Sequence, residues 1–184
     1  METGEFLTRA TIWVAIVVYA IGSVVFALAR GRSRWDSVTR VLWTVAVLSL
    51  VGHFICAYQF YHHWSHDSAY LDTARQTDEV IGLNWGGGLF INYAFLTLWT
   101  IDVSWWWLRG LASYRSRPWP VVAAWHGFLI FILFNAMVVF KDGPTRWVGL
   151  VICVVLLLSW ARIARQGLTK SRNERVATEG HPYI

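Results

Sequence analysis

Two cysteines in 184 residues are too few for a disulfide framework. Both, Cys56 and Cys153, stand inside long apolar runs, where free cysteine behaves as a small apolar side chain. They fall at similar depth near one membrane face, which leaves a redox pair as the minor alternative. Charge is sparse too: Asp, Glu, Lys and Arg make up 15% of the chain against 56% hydrophobic residues. Outside the apolar runs no segment is long enough for a separate soluble domain. The net charge of +5 does not indicate nucleic acid, because the basic residues stand just outside apolar runs, where orientation and lipid contact account for them. A secretory signal's positive n-region is missing as well. Glu2 and Glu5 oppose Arg9, and the apolar run that follows exceeds a typical h-region, so that run is expected to stay in the mature protein. No internal repeat is visible, and with it the inverted repeats of many secondary transporters are not seen.

What the chain has in quantity is lipid-compatible length. Five apolar stretches cover residues 10–29, 41–61, 86–108, 119–140 and 147–164. A hydrocarbon core about 30 Å thick requires roughly 20 mainly apolar residues per helix. Four stretches meet that length, and the fifth does so when Arg162 snorkels to the interface. The expectation is an all-α, integral membrane helical bundle of five transmembrane helices. Residues 1–164 form its single domain, and 165–184 form a polar, frayed cytoplasmic tail.

Charge orients this bundle. Arg30, Arg32, Arg34 and Arg40, opposed only by Asp36, lie between the first two runs. Arg109, Arg115 and Arg117 lie between the third and fourth, and Arg162, Arg165, Lys170, Arg172 and Arg175 follow the fifth. With five crossings these segments share one side, which the positive-inside rule makes cytoplasmic. The acidic amino terminus, the loop with Asp67, Asp72, Asp78 and Glu79, and the turn at 141–146 take the other side. The chain therefore reads N-out and C-in, in the inner (plasma) membrane of a bacterium. Its 13 tryptophans fit two interfacial belts: Trp35, Trp43, Trp105, Trp106, Trp107, Trp119 and Trp160 inside, with Trp13, Trp64, Trp85 and Trp147 outside. Trp99 and Trp125 alone lie deeper.

Proline marks helix starts and turns. Pro118 and Pro120 flank Trp119 where a helix begins, and Asp142-Gly143-Pro144 reads as a tight turn. The outer loop at 62–86 is longer than two neighbouring spans require. Within it Trp64, Leu71, Ala74 and Ile81 fall near one side of an amphipathic helix, with Asp67 or Ser68 as N-cap and Gly82 as stop. Three glycines, Gly86 to Gly88, then permit close backbone approach; no Lys, Ser or Thr follows them, so they form no phosphate loop.

The densest chemistry stands at the outer end of the second run. His62, His63, His66 and Asp67 are a candidate transition-metal site for copper, zinc or iron. Were the helix to continue, His62 and His66 would be one turn apart. The competing reading is an interfacial aromatic cluster. The spacing matches a fragment of the histidine boxes of membrane di-iron desaturases and hydroxylases, but those enzymes need several boxes and this chain has six histidines in all. His53 and His126 stand within spans, where ionisable groups invite a functional reading. Haem between them is disfavoured: at 1.5 Å per residue they differ in depth by ~9 Å, against the ~4 Å that two imidazoles on one iron allow. Asp102 is the better partner for His126. The two are at equal depth on consecutive spans, as a structural hydrogen bond or, as the lesser alternative, a proton relay. His53, Asn92 and Asn135 form a possible outer polar cluster. Asn135 is about 180° round the helix from His126, which argues against one straight pore.

Three functions follow. The first is a non-catalytic subunit or scaffold of a membrane assembly, contacting the lipid bilayer and other membrane subunits. The second is binding of a transition metal, or less readily haem, on the outer face. The third is movement of a proton or small solute. No nucleophile–base or acid–base pair marks the chain as an enzyme.

Overall fold

The computed structural model describes residues 3–29 and 33–179. Every regular element among them is helical: α1 (Thr3–Leu28), α2 (Ser33–Ala57), α3 (His66–Ile81), α4 (Gly88–Arg115), α5 (Trp119–Phe134) and α6 (Gly143–Glu179). α2 and α5 each end in a π-helical turn, Tyr58–His62 and Asn135–Val139. Four helical stretches are long and apolar enough to cross a membrane: Thr3–Leu28, Arg34–His62, Trp119–Val139 and Gly143–Arg165. α4 has the length but not the same apolarity, because Asn92, Tyr93, Asp102 and the run Trp105-Trp106-Trp107 dilute its aliphatic residues.

α1 and α2 share the most extensive contact; α6 packs on α1 and α5, and α4 packs on α2 and α3. α1 buries Ala15, Ile16, Tyr19, Gly22, Ser23 and Ala27, a stripe at helical spacing made mainly of small residues. The small side chains bring α2 close. A Cβ on Gly22 would stand 2.8 Å from the Trp43 indole, so that ring occupies space that any larger residue would fill. Trp43 and Trp106 are thereby sealed in the core with Tyr19, Leu129 and Leu156. This corrects the belt reading of these two tryptophans: they face inward, into the core. Trp35, Trp64, Trp85, Trp105, Trp107, Trp119 and Trp147 do face outward.

At the histidine-rich end the chain leaves α2 through two consecutive non-glycine residues in the left-handed region, His63 (φ 47°) and Trp64 (φ 59°). Ser65, not Asp67 or Ser68, caps α3, its Oγ accepting from the Ser68 N–H at 3.2 Å. Gly82 stops that helix as expected. α3 buries Ala69, Ala74 and Thr77 and leaves Leu71 and Ile81 uncovered. Gly86 is required where the chain re-enters the bundle, since a Cβ there would come within 2.5 Å of the Tyr70 carbonyl oxygen.

At the opposite end Gly110 (φ 72°, ψ 176°) interrupts α4 and reverses the chain. α6 begins after Gly143 (φ 62°) and continues as helix to Glu179. The backbone expected to fray after residue 164 is helical that far; Gln, Lys, Arg and Glu favour helix and no proline intervenes before Pro182. The last five positions of the expected tail, 180–184, lie outside the described residues.

Candidate functional site

At the histidine-rich end three elements converge. Tyr58, in the π-helical turn of α2, hydrogen-bonds through its hydroxyl to that of Tyr93 on α4. The Tyr93 hydroxyl also meets Nδ1 of His66, at the start of α3, at 3.1 Å. His62 stands beside Tyr58 with ring centroids 5.6 Å apart, and Trp64 Nε1 donates to Gln59 Oε1 at 2.9 Å. His63, His66 and Asp67 are exposed and His62 is half-buried. The helix does not continue past His62, so the one-turn spacing of His62 and His66 is not realised. Among the described residues no three His, Cys, Asp or Glu side chains are gathered closely enough to hold a metal ion. Tyr58 and Tyr93 were not singled out from the sequence. Their signal was faint: Tyr58 precedes His62 by one turn, and Tyr93 opens the polar start of α4.

At the arginine-rich end the polar groups are buried. Asp102 accepts from Arg117 Nη1 at 2.5 Å and from the Tyr114 hydroxyl at 2.9 Å. The Gly110 reversal makes this possible by folding Tyr114 back against α4, where its ring stacks on Trp106 at 4.3 Å. Burial works against the Arg117 charge, yet Tyr114 and Asp102 outweigh it and hold the guanidinium above its ordinary pKa. Asp36 on α2 is paired with Arg115 in the same manner. His126 has a different partner: Nδ1 meets the Tyr19 hydroxyl at 3.2 Å, and the imidazole stacks on Trp160. Its Nε2 has no hydrogen-bond partner among the described residues. No hydrogen bond links Asp102 to His126: Asp102 ties α4 to its own end beyond Gly110, whereas His126 ties α5 to α1 and stacks on α6.

His53, Asn92 and Asn135 are likewise satisfied separately or not at all. His53 Nδ1 meets the Thr8 carbonyl at 2.9 Å, and Asn135 Nδ2 donates to the Phe131 carbonyl at 2.8 Å. Asn92 is exposed on α4. Between the two ends a cavity of about 40 Å³, lined by apolar side chains such as Ile16, Leu50, Phe95 and Leu133, is of the kind that stays dry. Cys56 and Cys153 are both free thiols.

The outward surface of the helices differs from one to the next. Across residues 14–28, 41–55, 121–136 and 147–161, every exposed position of α1, α2, α5 and α6 is apolar. α4 alone exposes Asn92, Thr97, Thr100 and Ser104 in the corresponding stretch. Thr100 satisfies its hydroxyl on the Leu96 carbonyl at 2.8 Å. Compared with family models, with curated proteins and with solved structures, the chain matches none.

Proposed function

We propose that this chain is a non-catalytic subunit or scaffold of a bacterial inner-membrane assembly. It crosses the bilayer five times, N-out and C-in, and meets a neighbouring membrane subunit through α4. One observation carries the reading: among the described residues of the five long helices, α4 alone mixes apolar residues with exposed polar ones, Asn92, Thr97, Thr100 and Ser104, along its middle stretch. In hydrocarbon, side chains of this kind stabilise helix contacts by hydrogen bonding across an interface, by about 1 kcal/mol each. Small hydroxylated residues also let a second backbone approach closely. α3, with Leu71 and Ile81 uncovered, lies on the outer surface as an interfacial helix.

Cross-linking in native membranes tests the contact. Thr97→Cys is expected to give a discrete cross-linked product, and Val151→Cys on the apolar face of α6 none. Equal behaviour of the two removes α4 as the interface. Topology is tested separately: His66→Cys reacts with an impermeant thiol reagent from outside, and reaction only from the cytosol overturns the orientation.

A second reading, a transition metal on the outer face, draws on one feature. Tyr93 engages His66 Nδ1, which orients the imidazole and leaves Nε2 directed elsewhere, the arrangement common to metal-ligating histidines. Stoichiometric copper, zinc or iron in the purified protein, lost in His62→Ala and His66→Ala, is the result this reading requires. Proton movement through Asp102 and His126 has no comparable support, since each side chain is tied to a structural partner.

A further inference from the structure

Where α2 packs on α4 at the arginine-rich end, one cation has no counter-ion among the described residues. Arg40 follows Asp36 by one helical turn, a spacing at which the two side chains are neighbours and can pair. They do not pair here. Asp36 engages Arg115, and the Arg40 guanidinium instead lies over the Trp107 ring, 3.9 Å from its centroid. That ring is fixed in place: Trp107 Nε1 donates to Thr44 Oγ1 at 2.9 Å, and Thr44 Oγ1 donates to the Arg40 carbonyl at 2.8 Å. The indole is thus latched to the backbone turn that carries the arginine. Among the described residues Arg40 makes no ion pair.

Depth and surroundings point to the ligand. Trp107 lies ~28 Å along α4 from Gly88, the far edge of a hydrocarbon core about 30 Å thick. Below Arg40 on α2, Val41, Val45 and Leu48 form an exposed apolar strip leading into the bilayer, and Trp107 is itself half exposed. A guanidinium stacked on an indole keeps its N–H edge free, and that edge matches two phosphate oxygens at once. At headgroup level the phosphate that also supplies an acyl chain for such a strip belongs to an anionic phospholipid. We propose that Arg40, held on Trp107 by the Thr44 latch, binds the phosphate of an anionic phospholipid beside the contact of α2 with α4. The site requires α2 and α4 to lie in the bilayer but is independent of any subunit contact. Arg109 lies over Trp105 at the longer distance of 5.4 Å, on a different face of α4, and provides an internal control.

The full chain, purified in mild detergent and offered equal amounts of phosphatidylglycerol and phosphatidylcholine, is examined by native mass spectrometry. The unsubstituted protein is expected to retain phosphatidylglycerol in preference. Arg40→Gln should lower that retention about tenfold, the loss of one charge-assisted contact, while Arg40→Lys loses less and Arg109→Gln leaves it unchanged. Should Arg40→Gln not fold, Trp107→Leu removes the platform and carries the same expectation. Excess inorganic phosphate should not displace the lipid. Equal retention of the two lipids by the unsubstituted protein, or unaltered retention in Arg40→Gln, overturns the proposal. Displacement by inorganic phosphate overturns the lipid assignment in favour of free phosphate. None of these outcomes depends on cross-linking through α4, so the two ideas fail separately.

Discussion

At the arginine-rich end Asp36, Asp102 and His126 are each no more than 6% exposed, whereas His63, His66 and Asp67 at the other end lie open. The chemistry of the side chains is similar; their surroundings are not. Taking a carboxylate out of water costs several kcal/mol, recovered only with a partner of good geometry. Asp36 and Asp102 each have one, and both partners, Arg115 and Arg117, come from the segment that follows Gly110. Groups bound by such a requirement hold the helices in register. The groups at the histidine-rich end carry no comparable burden. Their positions depend on a left-handed turn and on phenol contacts, and they remain accessible to other molecules. The buried end therefore reads as structure and the open end as surface.

The strongest way to break that contrast is at Asp102. Asp102→Ala strands Arg117 in a largely buried position and should destabilise the bundle by ~3–5 kcal/mol, read as the unfolding midpoint in detergent. Asp67→Ala at the open end should stay within about 0.5 kcal/mol. Comparable losses would erase the distinction. Tryptophan offers a similar test: Trp43→Ala opens a core cavity and should cost about 3 kcal/mol or more, while the exposed Trp64 should tolerate the same change. Removing one hydroxyl at each end sharpens the comparison. Tyr114→Phe deletes a hydrogen bond to a buried carboxylate, worth ~2 kcal/mol, and Tyr93→Phe deletes one between partly exposed groups, worth ~1 kcal/mol or less. Tyr93→Phe should also speed carbethoxylation of His66, which a purely stabilising role would not predict. Smallest of all, Ser65→Ala removes the α3 cap and should cost ~0.5–1 kcal/mol, seen as faster hydrogen exchange in the first turn of that helix.

Much of the fold was legible because hydropathy reports length directly. Each of the five apolar runs lies within a helix to within one or two residues at its ends, and the amphipathic pattern of 62–86 matches α3 and its stop at Gly82. The start of α3 was misplaced because Ser65, Asp67 and Ser68 are all competent caps. Only the left-handed geometry of His63 and Trp64 selects among them. The sequence cannot tell Trp43 and Trp106 from anchors, because position along a helix is legible whereas facing direction depends on neighbours such as Gly22. The partner of Asp102 was hidden for a related reason. Arg117 was accounted for as an orientation charge, and nothing local shows that Gly110 turns the chain back toward it. Tyr58 and Tyr93 meet only because α2, α3 and α4 converge, a tertiary event with no periodic signature.

The reversal at Gly110 has a bearing on how the chain enters the membrane. The carboxylate of Asp102 finds its counter-charge only fifteen positions downstream, on the same hairpin, rather than on a distant helix. During synthesis that guanidinium emerges from the ribosome soon after the acid, before either of the two last spans has been made. Loop closure over so short a stretch is entropically cheap. α4 thus carries its own neutralising group close by in the chain, and Asp102 can be buried without waiting for the rest of the protein.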